Sequence, residues 1–284
     1  MHYKYKIDNS PCAPTLDENG KFKTCYSKES LIKISNELSK KNKLAFKTNN
    51  KNKKQLWDFI QKQFQDTCSK KEQCWVKRDE VKKLKNIEIN RYTFKPEYPK
   101  NWVSNKHTWL NTYDILKVMK QYEKKYPDFK FMGVVPSDCP TKIHCELSNM
   151  DIQKMKKNNI HHIGLIYNLD TSSGSGTHWV AMFIDNKNNE INYYDSYGSM
   201  PIKLIQDFIS KLRINFKKNK YEPIVIYNNK RHQYGGSECG MYSMNFILER
   251  LNGVNMYQIS QRNINDEDMN KLRDFLYSKN KMIK

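Results

Sequence analysis

The sequence predicts an α+β fold: a central mixed sheet flanked by helices in the larger part of the chain, with a small helical N-terminal domain before it. Three observations lead there. The first 100 residues place apolar side chains at helical spacing, residues 160–196 hold short apolar runs punctuated by Ser, Gly and Asn, and residues after 200 return mainly to helical spacing. With 284 residues, 38% of them hydrophobic and 12% aromatic, the chain has enough apolar material to form a core without cross-links. Only 10 Gly and 9 Pro exclude collagenous and low-complexity classes.

The elements follow in order. Ser27 to Lys40 places Leu31, Ile34 and Leu38 on one helical face behind a cap at Ser27 or Ser30. Lys54 to Thr67 repeats the pattern with Leu56, Trp57, Ile60 and Phe64. Between them Lys40 to Lys54 carries seven Lys and no acid, a loop composition. Phe94 to Asn101, with two prolines and no periodicity, reads as a linker, which divides the chain into 1–100 and 101–284. Tyr113 to Lys125 is an amphipathic helix capped by Asn111 or Thr112. Ile160 to Leu169 suits a buried strand, and Thr171 to Thr177 (TSSGSGT) is a Ser/Gly loop. His178 to Asp185 and Glu190 to Ser196 then form a hairpin. Pro201 to Phe216 is a helix with Pro at its start, and Glu222 to Tyr227 is a strand. Helices from Cys239 through Leu251 and from Asp266 to Lys279 complete the chain.

The formal charge is +20, from 50 Lys+Arg against 30 Asp+Glu. Residues 1 to 100 hold 24 basic and 12 acidic residues, so +12 of the excess lies in the N-terminal domain. That makes this region a candidate for nonspecific DNA binding through phosphates, although a solvated Lys-rich loop is the plainer reading. Only seven of the basic residues are Arg, and Asn and Ile are abundant, as an AT-rich genome produces. No run of 18 apolar residues and no basic-apolar-small leader at Met1 to Ser10 is present, so neither a membrane span nor a signal peptide is expected. Seven cysteines, irregularly spaced, argue for reduced thiols and a cytoplasmic site of synthesis. Cys139 and Cys145 with His144, and Cys68 with Cys74, lack metal-ligand spacing, so no metal and no cofactor is expected.

Cys239 stands where the Gly-containing loop Gln233 to Glu238 (QYGGSE) turns into a helix. Helix-start N–H groups favour thiolate, the nucleophilic form. Flanking Gly236 and Gly240 allow a substrate backbone to approach. A nucleophilic thiol needs a base, a group orienting that base, and oxyanion donors. His178 opens a strand after the Ser/Gly loop, and Asp195 ends the neighbouring strand, so paired strands bring imidazole and carboxylate side by side. Gln233 offers an amide that, with the Cys239 N–H, would form an oxyanion hole. His161, His162 and His232 are rival bases and Asp185 a rival orienting carboxylate, each without the partner spacing of His178 and Asp195.

His178-Trp179, Asp195-Ser196, Gln233 and Cys239-Gly240, in that order, resemble the ubiquitin-like-protein protease and adenain-type cysteine peptidases. Trp109-Leu110-Asn111 is similar to a Trp-Leu-Asn-Asp segment of the SUMO proteases, with Thr112 where those carry Asp; Asp268-Met269 with Arg273 is similar to the family's C-terminal pattern. The resemblance covers roughly residues 102–284. It implies a catalytic set of His178, Asp195, Gln233 and Cys239, and a narrow clamp of Trp109 and Trp179 with Gly240 over a Gly-Gly substrate segment. Size, the basic helical arm and the AT-rich bias resemble the African swine fever virus type of processing protease in large cytoplasmic DNA viruses. That implies thiol endopeptidase cleavage after Gly-Gly in structural polyproteins, action in the host cytoplasm at the virus factory, and packaging in the virion. The alternatives are a SUMO or ubiquitin-like deconjugase, an acetyltransferase using a similar triad, and a basic nucleic-acid-binding or scaffold protein with a degenerate protease domain.

Overall fold

The computed structural model describes residues 10–15, 22–102, 104–105, 107–218 and 220–279. Most of Met1 to Ser10, the stretch for which no leader is expected, lies outside them. The chain divides into two units, Met1–Tyr98 with Phe275–Lys284, and Pro99–Asp274. Of the C-terminal segment, residues 275–279 are described, and they pack with the first unit. Ser278 explains it, because its N–H donates to Pro96 O and its C=O accepts from Tyr98 N, so the proline-containing stretch is backbone-paired.

In the first unit, α1 (Lys28–Lys41) starts at Ser27, whose hydroxyl accepts from Ser30 N, and buries Leu31, Ile34 and Leu38. A loop leads to α2 (Lys53–Gln63), which opens with a capping box between Asn52 and Gln55. Four short helices follow: α3 (Gln65–Cys68), α4 (Glu72–Trp75), α5 (Asp79–Lys83) and α6 (Ile87–Tyr92). Trp75, at the end of α4, is fully buried, stacked on Tyr26 at 5.3 Å between centroids and flanked by Trp57 and Phe64.

The cysteines depart from the expectation of reduced thiols. Cys12–Cys25 and Cys68–Cys74 are disulfides in the first unit, and Cys139–Cys145 is one in the second. Linear spacing hides the reason. Chain reversals bring the paired Cα atoms to 5.0, 5.4 and 5.6 Å, inside the range a disulfide spans. The seventh cysteine, Cys239, is free and buried.

In the second unit α7 (Thr112–Lys125), capped by Asn111, precedes the sheet. The strands are β1 (Phe129–Pro136), β2 (His162–Asn168), β3 (Trp179–Asp185), β4 (Glu190–Tyr194) and β5 (Ile224–Tyr227), in spatial order β1-β2-β3-β4-β5. The outer pairs, β1 with β2 and β4 with β5, are parallel, and the two inner pairings are antiparallel. The sheet is therefore mixed. Short α8 (Ile152–Lys157) lies between β1 and β2 in sequence, and α9 (Lys203–Lys217) between β4 and β5.

Alternation along the strands splits the core. Ile163, Leu165, Tyr167, Val180, Met182 and Ile184 cluster with Ile205, Phe208, Ile209, Leu212 and Phe216 of α9. The other face receives α10 (Cys239–Leu251), where Phe246 stacks on Tyr194 at 4.9 Å. Every residue of α10 from Cys239 to Arg250 is buried, so its start is fixed by packing all round. Helices α11 (Met256–Gln261) and α12 (Asp266–Leu276) follow. No helix among the described residues is long and apolar enough to cross a membrane.

Candidate active site

The β3–β4 hairpin sets the first two groups. Its register ends at Ala181 with Tyr194, and His178, three residues before Ala181, stacks on Tyr197, three residues after Tyr194, at 4.5 Å between ring centroids. His178 Nε2–H donates to Asp195 Oδ1 at 2.7 Å, and both side chains are buried. That leaves Nδ1 for the ring's other side-chain hydrogen-bond partner, the Cys239 thiol at the first turn of α10. Burial alone lowers the imidazole pKa; the hydrogen bonds and charges of Asp195 and Cys239 together outweigh it and raise His178 to about 9. At neutral pH an imidazole so raised holds its proton between the Asp195 carboxylate and the sulfur, where it can serve a leaving group.

Asp195 is itself held. Its N–H donates to Asn228 Oδ1 at 2.8 Å, Asn228 Nδ2 donates back to Asp195 O at 2.7 Å, and Tyr197 N–H donates to Asp195 Oδ1 at 2.8 Å. The turn closes through Gly198, at φ +74°, whose added Cβ would lie 2.8 Å from the Lys230 backbone.

Gln233 is fully buried. Its Oε1 accepts from Ser196 Oγ at 2.7 Å, which fixes the amide orientation. Its Nε2 donates to Gly235 O at 2.8 Å and lies 3.5 Å from Tyr197 Oη. The loop from Gly235 to Glu238 is clamped along its length. Asp266 Oδ2 accepts from Tyr234 and Gly235 N–H, Trp109 Nε1 donates to Gly236 O at 2.7 Å, and Arg273 donates to Ser237 O at 3.2 Å. Burial pushes the Glu238 carboxyl up, but hydrogen bonds from Ser237 and His107 outweigh it and hold it below the usual carboxylate range. A cleft of about 470 Å³ opens there, lined by His107, Trp109, Gly235 to Glu238 and Asp266.

Trp179 is buried and donates its indole N–H to Leu110 O at 3.0 Å. Gly240 lies beneath that contact: an added Cβ would sit 2.9 Å from Leu110 Cδ1 and 3.3 Å from Trp179 Cδ1. Gly240→Ala is expected to lose about 1–3 kcal/mol of stability through this overpacking, read as a lower denaturant midpoint at unchanged slope.

Residues 151–284 match the family model described as the Ulp1 protease family, C-terminal catalytic domain. That match takes in slightly less than half of the chain. The matched segment contains His178, Asp195, Gln233 and Cys239, so these site residues lie in the part of the chain that is similar to Ulp1-type cysteine proteases. A putative thiol protease of Acanthamoeba polyphaga mimivirus is 38% identical over 186 residues, which cover 65% of this chain and 60% of that one. The chain therefore spans 60% of the length of that relative. A SUMO-1 cysteine protease of African swine fever virus is 26% identical over 252 residues, 79% of this chain and 88% of the viral one. The crystal structure of a protease from that virus superposes with a TM-score of 0.69 at 23% identity, over 95% of this chain and 96% of that chain, so the fold is shared.

The rival groups lie elsewhere in the second unit. Asp185 is at the far end of β3, where it accepts from the turn at Lys187 and Asn188 and pairs with Arg250 at 3.4 Å. His162 pairs with Asp128, and His232 is buried against Tyr194 Oη and Ser260 O. Asn228 and Tyr197 escaped the sequence reading: one follows a strand, the other lies in a turn, and neither residue type marks chemistry. Their signal is positional, in the hairpin register and the end of β5. Among the described residues no group of three His, Cys, Asp or Glu side chains is placed to hold a metal ion.

Proposed function

We propose that this chain is a thiol endopeptidase that cleaves after Gly-Gly and processes viral structural polyproteins, acting at the virus factory in the host cytoplasm and carried in the virion. The observation that carries the reading is the imidazole of His178 hydrogen-bonded between Asp195 and the Cys239 thiol at the start of α10. The Cys239 thiolate adds to the scissile carbonyl, and the oxyanion is held by the Cys239 N–H and Gln233. The His178 imidazolium gives its proton to the leaving amine, which departs and leaves a thioester. Water then adds while His178 takes its proton, and collapse releases the acid and restores the thiolate. Preference for Gly-Gly rests on Trp109 and Trp179, whose indole N–H groups donate to Gly236 O and Leu110 O, with Gly240 packed beside Leu110 and Trp179.

The basic N-terminal region is proposed to bind DNA nonspecifically through its 24 Lys and Arg. The name of the African swine fever virus relative favours a second reading, a SUMO deconjugase. Turnover of a Gly-Gly-Xaa peptide panel, compared with SUMO and ubiquitin C-terminal reporters, separates them. Peptide turnover without reporter turnover supports processing; the reverse supports the deconjugase; acetyl transfer from acetyl-coenzyme A, with neither, overturns both.

A further inference from the structure

We infer that Tyr197 is a positioning residue for the catalytic imidazole, holding the plane of His178 by face-to-face stacking while its backbone N–H shares the Asp195 carboxylate. The rings lie 4.5 Å apart between centroids and 13° from parallel. Tyr197 N–H shares Asp195 Oδ1 with His178 Nε2, at 2.8 and 2.7 Å, so one oxygen sets both the ring and its neighbour. The Tyr197 hydroxyl donates to Gly235 O at 3.3 Å, and Gln233 Nε2 is 3.5 Å from it. Arg231 lies over the Tyr197 ring at 5.2 Å and donates from Nε to Gln233 O at 2.8 Å. One residue thus touches the base, the orienting carboxylate and the loop that precedes the nucleophile.

Two consequences follow. An imidazole bonded at both nitrogens still rocks about the line joining its partners, and a parallel ring against its face stops that motion. A π face also favours a cation over a neutral ring, so Tyr197 adds to the groups that keep His178 protonated. The charged and titratable groups facing that imidazole are Asp195 after β4 and Cys239 at the start of α10; Arg231 stands next to Tyr197 and acts in the opposite sense.

This inference rests on the peptidase reading, so its test includes a measurement that needs no turnover. In histidine-labelled protein, the His178 Cε1–H resonance, assigned by its loss in His178→Gln, is expected upfield of an unstacked histidine in wild type and in Tyr197→Phe, and to move downfield in Tyr197→Leu. In peptide turnover, Tyr197→Leu is expected to lower kcat about tenfold or more with KM little changed, and to bring the alkaline limb to lower pH, while Tyr197→Phe keeps the profile. A His178 resonance without a ring-current shift in wild type overturns the inference even if no variant folds. So does a Tyr197→Leu protein with wild-type kcat and limb, or a Tyr197→Phe protein as impaired as Tyr197→Leu. Absence of all peptidase activity with the ring-current pattern intact overturns the functional reading and leaves the positioning role standing.

Discussion

Cys239→Ala protein is expected to turn over Gly-Gly peptides about 10³–10⁶-fold more slowly than wild type while keeping its fold. The rate falls because nothing else at the helix start can form the acyl intermediate. The fold survives because Cys239 occupies the first turn of a helix whose next eleven residues are buried by their own contacts, and removing one sulfur leaves little volume unfilled. Single-turnover kinetics and a denaturant melt on the same preparation check both halves. Undiminished cleavage would remove Cys239 from the chemistry.

Asp195→Ala is expected to cost about 10²–10⁴-fold in kcat/KM. The carboxylate accepts from His178 and from Tyr197 N–H, so its loss frees the ring and strands a backbone donor. Asp195→Asn separates charge from geometry. The amide oxygen still accepts, so more of the rate is retained, but the negative charge that helps hold the imidazole near 9 is gone. The alkaline limb of kcat/KM therefore moves to lower pH in Asp195→Asn. An unchanged limb would mean that the ionisation read in the profile belongs to another group. The same shift links to stability. Unfolded histidine loses its proton near pH 6.5, folded His178 near 9. Its contribution is complete below the unfolded value and is lost as pH rises through the folded one.

The parts of the molecule readable from sequence are those where a single period runs uninterrupted. Leu31, Ile34 and Leu38 fixed α1, and the run from Cys239 through Leu251 fixed α10 to the residue. The β3–β4 hairpin followed from two apolar runs around an Asn/Lys turn, and with it the pairing of His178 with Asp195. Strand β1 was missed because Gly133, where its register shifts, and the terminal Pro136 read as loop residues inside its apolar run and no alternation accompanies them. Helices α3 to α6 are four to six residues long, about one turn each, too short for a period to declare itself. The anchors of the catalytic acid, Asn228 and the Tyr197 N–H, are contacts across tens of residues or backbone groups, and neither leaves a trace in composition.

The cysteine pairing also has a practical side. All seven cysteines lie among the described residues, and six are held in cross-links whose partners are 13 or fewer positions apart. The folded, oxidised chain thus offers a single sulfhydryl, and it is the one beside His178. A slender alkylating reagent that enters the site would label this protein with a stoichiometry of one, so the extent of labelling counts competent molecules in any preparation.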